Sequence, residues 1–280
     1  MAEAHGRDRQ RLIELVSPTP PVGLTIAGSD TGGSAGLAAD LKTFARHGVH
    51  GVFALTVATA QNTTGISSVH SIPGEFVGDQ IDAVTRDFRV AATKTGLLYS
   101  ADVVDVVVDR AGSLGPLVVD PVLVNSAGAP MLSPDMVSLY RERLVPIATV
   151  ITPNVAEASL LSGVDIGDRA SAKAAAEVLV ELGPAAVVIT GLLEERWAVD
   201  TVATDGEIYA MEHQRVDTKN VLGTGCSLSA AITASLASGV AIEPSVGSAA
   251  SFVLAGLESA VTWRLGEGRG PIDHFADPSR

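Results

Sequence analysis

The sequence predicts an α/β protein, a single domain of three layers in which helices cover both faces of a mainly parallel central sheet. Short runs of Val, Ile, Leu and Ala alternate with amphipathic stretches from residue 22 almost to the end, with no linker or compositional break. Hydrophobic residues make up 46% of the chain but aromatics only 4%, and so aliphatic a core suits strands buried on both faces. Glycines and polar residues gather just after the apolar runs, where parallel strands open onto a site. Residues 1–21, polar and ending in Ser-Pro-Thr-Pro-Pro, are expected to form a flexible tail, and residues 22–275 the folded domain.

The elements follow in order. Val22–Ala27 is the first strand, and Gly28 to Gly36 is a glycine-rich loop leading into a helix. On that helix Leu37, Leu41 and Phe44 share one face, Asp40 lies at its rim and Lys42 points to solvent. Gly51–Ala60 reads as one strand ending in Gln61-Asn62-Thr63, and Ser67–Ile72 as a short strand. Glu75–Phe88 reads as a helix with Phe76, Gln80, Val84 and Phe88 on one side. Val90–Gly96 is a strand carrying Lys94, one of four lysines. Ala101–Ala111 is an apolar helix, Leu117–Asp120 a buried strand, Pro134–Arg143 a helix and Thr149–Thr152 a strand. A helix beginning near Asn154, another over Ala172–Leu182, and a strand over Ala185–Thr190 come next. Trp197–Thr204 and Glu207–His213 form a hairpin turning at Asp205-Gly206. Two helices rich in small residues, from Cys226 and over Ala249–Val261, close the chain.

A net charge of −13 argues against nucleic acid or an anionic membrane as the main partner. One cysteine allows neither an internal disulfide nor a cysteine-based zinc cluster, which suits a reducing compartment. No apolar run has the length of a membrane span. The expected location is therefore cytoplasmic.

The stretch Gly223-Thr224-Gly225-Cys226 is the most informative. The first N–H groups of a helix lack intrahelical partners and carry the positive end of its dipole, so a glycine turn there is a ready anion site. Cys226 in that field is expected to have a lowered thiol pKa and to serve as a base. The competing reading is a small packed hydrophobe. Strand ends also carry Asp30, Gln61, Lys94, Asp120, Asn154 and Glu157, a polar ring around one site. Asp120 and Glu157 are candidate carboxylates for Mg²⁺, although Asn154-x-x-Glu157 equally fits a helix capping box. There is no Gly-x-x-x-x-Gly-Lys phosphate loop and no complete Gly-x-Gly-x-x-Gly. Gly32-Gly33-Ser34-Ala35-Gly36 matches Gly-x-Ser-x-Gly, but Gly28–Thr31 separate it from the strand, so the hydrolase elbow is disfavoured.

Taken together, Thr25 to Asp30, Gly33 to Phe44, Gln61-Asn62-Thr63, Lys94-Thr95-Gly96, Asp120-Pro121-Val122, Thr152-Pro153-Asn154 with Glu157, and Asp217 to Cys226 resemble the bacterial hydroxymethylpyrimidine/phosphomethylpyrimidine kinases of thiamin synthesis, members of the ribokinase-like superfamily. The closing Gly270-Pro271-Ile272-Asp273-His274 is similar to that family's Gly-Pro-Val-x-His. The resemblance implies a ribokinase-like fold and ATP- and Mg²⁺-dependent phosphorylation of 4-amino-5-hydroxymethyl-2-methylpyrimidine and of its monophosphate. It implies that Gly28, Asp40, Gln61 and Val122 line the pyrimidine pocket and that Asp120, Thr152 and Glu157 surround Mg²⁺. Asn154, Thr190 and Lys219 would lie on the nucleotide side, and Gly223, Thr224, Gly225 and Cys226 would form the catalytic anion hole. A homodimer is left open.

Three positions depart from the family pattern. Thr190-Gly191-Leu192 stands in place of Lys-Gly-Gly, Leu222 replaces a histidine, and Asn125 to Gly128 lacks a lysine. The alternatives are a pyridoxal kinase and a pyrimidine-binding relative without catalysis.

Overall fold

The computed structural model describes residues 19–124 and 130–277. Up to residue 18 the expected tail lies outside these, as does the Asn125–Gly128 loop. An eight-stranded sheet runs in the order β10-β9-β8-β7-β6-β5-β1-β2. Its parallel part is β1 (Val22–Ala27), β2 (His50–Leu55), β5 (Val90–Thr95), β6 (Leu117–Val119), β7 (Val150–Ile151) and β8 (Ala186–Leu193). The antiparallel edge is β9 (Trp197–Thr204) and β10 (Glu207–Gln214). The hairpin falls at Asp205-Gly206, both with positive φ, as a tight turn requires.

Alternation along each strand divides the core between the two faces. Leu117, Val119, Val187 and Ile189 pack with α2 (Gly74–Asp87), α3 (Ala101–Asp109), α5 (Val155–Ser162) and α6 (Arg169–Val180). Val118, Val150, Ala186 and Val188 pack on the other side with α7 (Thr224–Ala237) and α8 (Ile242–Ser259). Phe44 of α1 (Gly36–Arg46) joins Ala230 and Ala234 of α7 there. The short α4 (Pro134–Leu139) continues as a π turn through Leu144 and brings Tyr140 into the core.

Three expectations need correction. Gly51–Ala60 is not one strand. Thr56 interrupts it by donating from its N–H to Ala27 O (3.0 Å) and from its hydroxyl to Leu97 O (2.6 Å). Gln80 then satisfies the amide of Leu55 in both directions, so the chain can leave the sheet, and β3 (Val57–Asn62) pairs only with β4 (Gly65–Ser71) as a projecting hairpin.

The buried face of α2 also differs, being Gly74, Val77, Gly78 and Ile81 while Phe76 is exposed. A Cβ at Gly74 would stand 2.7 Å from Asp102 and one at Gly78 2.8 Å from Arg110. Small residues mark the α3 contact, a signal that large side chains hide.

Asp40, expected at a rim, is fully buried. It lies three residues after Leu37 and four before Phe44, so it belongs to the stripe those residues define.

Candidate active site

Two loops meet at the carboxyl edge of the sheet. In the first, after β1, Asp30 accepts the N–H groups of Gly32 (2.8 Å), Ser34 (2.9 Å) and Ala35 (2.9 Å). Its carboxylate closes the loop on itself, as Asp does in turns, and does not project into a ligand site as the polar ring expected. Gly36 then enters α1 with φ +55, where a Cβ would meet Gly28 O at 2.4 Å. In the second, Gly223 has φ +83 and a Cβ there would lie 1.9 Å from Ser34 O. Only glycine permits this approach, and it sets the N-terminus of α7 against the N-terminus of α1.

Cys226 sits at this junction, half-buried, with the Gly36 N–H directed at its sulfur. The expected lowering of its thiol pKa is not found. Burial pushes it up to about 12; Lys94 pulls against this, while Asp120 and Asp40 add to the rise. The field of a helix end is outweighed by desolvation and nearby carboxylates, and the ligand-free chain carries a neutral thiol.

Beneath Cys226 lies a buried ionic cluster. Lys94 Nζ is 3.0 Å from Asp40 Oδ2 and 3.7 Å from Asp120 Oδ2. Burial opposes the lysine charge, but Asp40 and then Asp120 outweigh it and raise the Lys94 pKa. Asp40 Oδ2 also accepts the Thr25 hydroxyl (2.6 Å), while its Oδ1 has no partner. Burial, opposed first by Lys94, raises the Asp40 pKa. Ser229 of α7 donates to Asp120 Oδ2 (3.1 Å), so one carboxylate ties β6 to the helix of the anion turn.

Asp120, Thr152 and Glu157 are all buried at the ends of β6, β7 and the start of α5. The capping box is present: Glu157 N–H donates to Asn154 Oδ1 (3.0 Å) and Asn154 N–H to Glu157 Oε2 (3.0 Å). Glu157 Oε1 accepts Leu123 N–H (3.1 Å). Burial and then Asp120 push the Glu157 pKa up to about 8. Two buried carboxylates that repel each other fit a cation. Two carboxylates and a hydroxyl are all-oxygen donors, the chemistry that suits Mg²⁺; among the described residues no three or more His, Cys, Asp or Glu converge as a metal cage.

The remaining predicted residues are spread along the same edge. Gly28 closes against Val57 Cγ1, 2.6 Å from where its Cβ would be. Val122 follows β6, its N–H on Asp120 O (2.9 Å). Gln61 lies on the projecting hairpin, where Thr31 donates to its carbonyl (2.6 Å) and accepts its N–H (2.8 Å). Thr31, Thr59, Ala60, Gln61, Asn62 and Ser67 border a hollow of about 320 Å³.

On the other side Thr190 bridges Asn154, its N–H on Pro153 O (2.9 Å). Lys219 is exposed. Arg196 and Arg215 line a larger hollow of about 440 Å³ with Glu195, Gln214 and Asp217. It lies on the β8–β10 side, apart from Cys226, which sits where α1 and α7 abut. Sequence reasoning gave no role to Ser229 or His274, and placed Lys94 in the ring without a task. The scarcity of lysine was the signal available for Lys94.

A glycine turn opening a helix N-terminus, with buried carboxylates at the neighbouring strand ends, is the equipment of phosphoryl transfer. With this sheet order and projecting hairpin it defines a small-molecule phosphotransferase of ribokinase-like architecture. Comparison narrows the class, because the family model described as phosphomethylpyrimidine kinase matches residues 30–273, and the chain belongs to that family. It is 40% identical over 263 residues to the hydroxymethylpyrimidine/phosphomethylpyrimidine kinase of Haemophilus influenzae, covering 90% of this chain and 96% of the relative. The ADP complex of Bacillus subtilis pyridoxal kinase superposes with a TM-score of 0.85 at 36% identity, covering 92% of this chain and 98% of that one. The phosphomethylpyrimidine kinase of Clostridium difficile gives 0.73 at 34% identity, covering 82% and 96%.

Proposed function

We infer that this chain transfers the γ-phosphoryl group of ATP to 4-amino-5-hydroxymethyl-2-methylpyrimidine and then to its monophosphate, in thiamin biosynthesis. The observation that carries this reading is the abutment of the α1 and α7 N-termini over the Lys94–Asp40–Asp120 cluster, in a chain 40% identical to a kinase of that name.

Phosphoryl transfer needs alignment and charge neutralisation more than covalent help. The N–H groups of Gly225 and Cys226 would bind the transferring phosphoryl group, with Thr224, whose own N–H donates to Val221 O (3.4 Å), closing the turn at Gly223. Gly28, Gln61 and Val122 would hold the pyrimidine. Asp40 would act from below, setting the floor of the pocket through Lys94. Asp120, Thr152 and Glu157 would hold a hydrated Mg²⁺, which supplies neutralisation of phosphate charge. Asn154, Thr190 and Lys219 would flank the nucleotide.

Cys226, a neutral thiol in the ligand-free chain, lends itself to orienting the hydroxymethyl oxygen. Taking that proton would require the sulfur to lose its own first. A cytoplasmic enzyme fits the one-cysteine composition and the polar carboxyl edge.

Pyridoxal is the second reading, favoured by the 0.85 TM-score to a pyridoxal kinase. Steady-state kinetics with the hydroxymethylpyrimidine and pyridoxal in parallel separate the two. A larger kcat/KM for the pyrimidine is expected, and preference for pyridoxal would reverse the assignment.

A further inference from the structure

We infer that His274 is a positioning residue for the phosphate-binding turn, the final link of a C-terminal strap that holds Gly223–Ser227 in place from outside. The inference rests on the reading of that turn as the phosphoryl site.

Within the turn, Thr224 Oγ1 donates to Val221 O (3.1 Å), but that bond is local and does not fix the turn against the rest of the fold. The N-cap of α7 is Gly223, and no side chain caps this helix. Its position relative to the sheet depends on neighbours. The chain from Gly266 onward supplies them.

Gly268 N–H donates to Thr63 Oγ1 (3.1 Å) and Arg269 N–H to Thr63 O (3.1 Å), so the strap begins on the projecting hairpin. It then pairs with the anion turn itself, through the Leu222–Pro271 bridge and the Leu222 N–H to Gly270 O bond (3.0 Å). Gly270 fits because a Cβ there would stand 2.0 Å from Asn220 Oδ1. The Asn220 amide in turn donates to Ala260 O (2.6 Å) and Trp263 O (3.1 Å).

Asp273 docks the strap on α8, its N–H on Gly256 O (3.0 Å) and its Oδ2 accepting Ser259 Oγ (2.7 Å). Beyond it, Ala276 O accepts Arg46 Nε of α1 (3.2 Å). Between these anchors His274, 4% exposed, places Nε2 3.0 Å from Ser227 Oγ, and Ser227 is fully buried in the first turn of α7. Burial and then Lys42 lower the His274 pKa to about 4, Asp273 opposing. The ring is neutral at working pH and can share a hydrogen bond with a hydroxyl. A displacement of about 1 Å far from the reacting atoms costs on the order of 10²-fold in rate, so a loosened turn would lower turnover before it lowered pyrimidine affinity.

The test is steady-state kinetics on full-length His274→Ala, His274→Gln, Ser227→Ala and the His274→Ala/Ser227→Ala double variant, with thermal melts of each. Expected is a fall in kcat of about tenfold or more for His274→Ala, with the pyrimidine KM within about twofold. His274→Gln, which restores a polar atom near Nε2, should recover much of the loss. The double variant should be no slower than His274→Ala alone. If His274→Ala does not fold, Ser227→Ala and His274→Gln carry the test, since each keeps the packing. Parental kcat in Ser227→Ala, or independent losses that multiply in the double variant, would overturn the strap. A parent chain without pyrimidine kinase activity would overturn the reading beneath it, and the inference with it.

Discussion

Lys94 Nζ donates to Asp40 Oδ2 across 3.0 Å with neither side chain exposed to solvent. This pair joins the centre of the sheet to the helix after the glycine loop, and through Asp120 it reaches the phosphate side. Leaving one member of a buried ion pair unpaired costs about 3–5 kcal/mol. Lys94→Met should therefore lower the stability of the chain by about that amount, since Asp40 and Asp120 would face each other without a cation. Adding Asp40→Asn should recover part of the loss. Urea unfolding of the three chains checks this, and a Lys94→Met chain as stable as the parent would remove the cluster from the account.

At Cys226 the raised thiol pKa favours orientation of the substrate over proton transfer. Cys226→Ala is expected to lower kcat by roughly 10²-fold or more with little change in pyrimidine KM. Cys226→Ser should restore the rate to within about tenfold of the parent, because its hydroxyl can orient the substrate as a neutral thiol does. Single-turnover rates decide, and a serine variant as slow as the alanine one would return the residue to proton transfer.

Thr190 bridges Asn154 within β8, where the strand's pairing with β9 shifts register and a lysine would bring positive charge. Thr190→Lys should tighten ATP binding by about 1–3 kcal/mol through a charge-assisted bond, with pyrimidine affinity unchanged. Arg196, which lines the neighbouring hollow with Arg215, is the compensating cation to test. Titration calorimetry with Thr190→Lys and Arg196→Ala distinguishes them. No gain with lysine and a large loss with Arg196→Ala would assign the charge to Arg196, and no response to either would take this loop off the nucleotide side.

The pH dependence of stability follows from His274. Its folded pKa lies near 4 against an ordinary 6.5, so between those values the unfolded chain binds the proton and the folded chain does not. Its contribution is present above pH 6.5 and is lost as pH falls toward 4, by roughly 3 kcal/mol over the window. Urea midpoints of the parent and His274→Gln from pH 7 to pH 4 test this. The variant should lose less stability than the parent, and parallel curves would contradict it.

Much of the fold was legible because aliphatic periodicity and turn residues are local signals. Val22–Ala27, the Asp205-Gly206 hairpin and the helix after Gly223 all lie where the pattern puts them. The break at Thr56 was not, because it depends on bonds to Ala27 and Leu97 that no local pattern encodes. The α2 face failed for a related reason: glycines that admit a neighbouring helix carry no hydropathy signal. Residue types at the site were readable as chemistry, but their pairing was not. Lys94, Asp40 and Asp120 are far apart in sequence, and the sign of the Cys226 shift depends on how they are buried together.

The central claim is that this chain phosphorylates the pyrimidine twice. Mass spectrometry of 4-amino-5-hydroxymethyl-2-methylpyrimidine incubated with the full-length chain, ATP and Mg²⁺ tests it most directly. The account predicts the monophosphate first and then the diphosphate, with one ADP formed for each phosphoryl group transferred. Unchanged pyrimidine after prolonged incubation, under conditions where ATP binding is measurable, would contradict it.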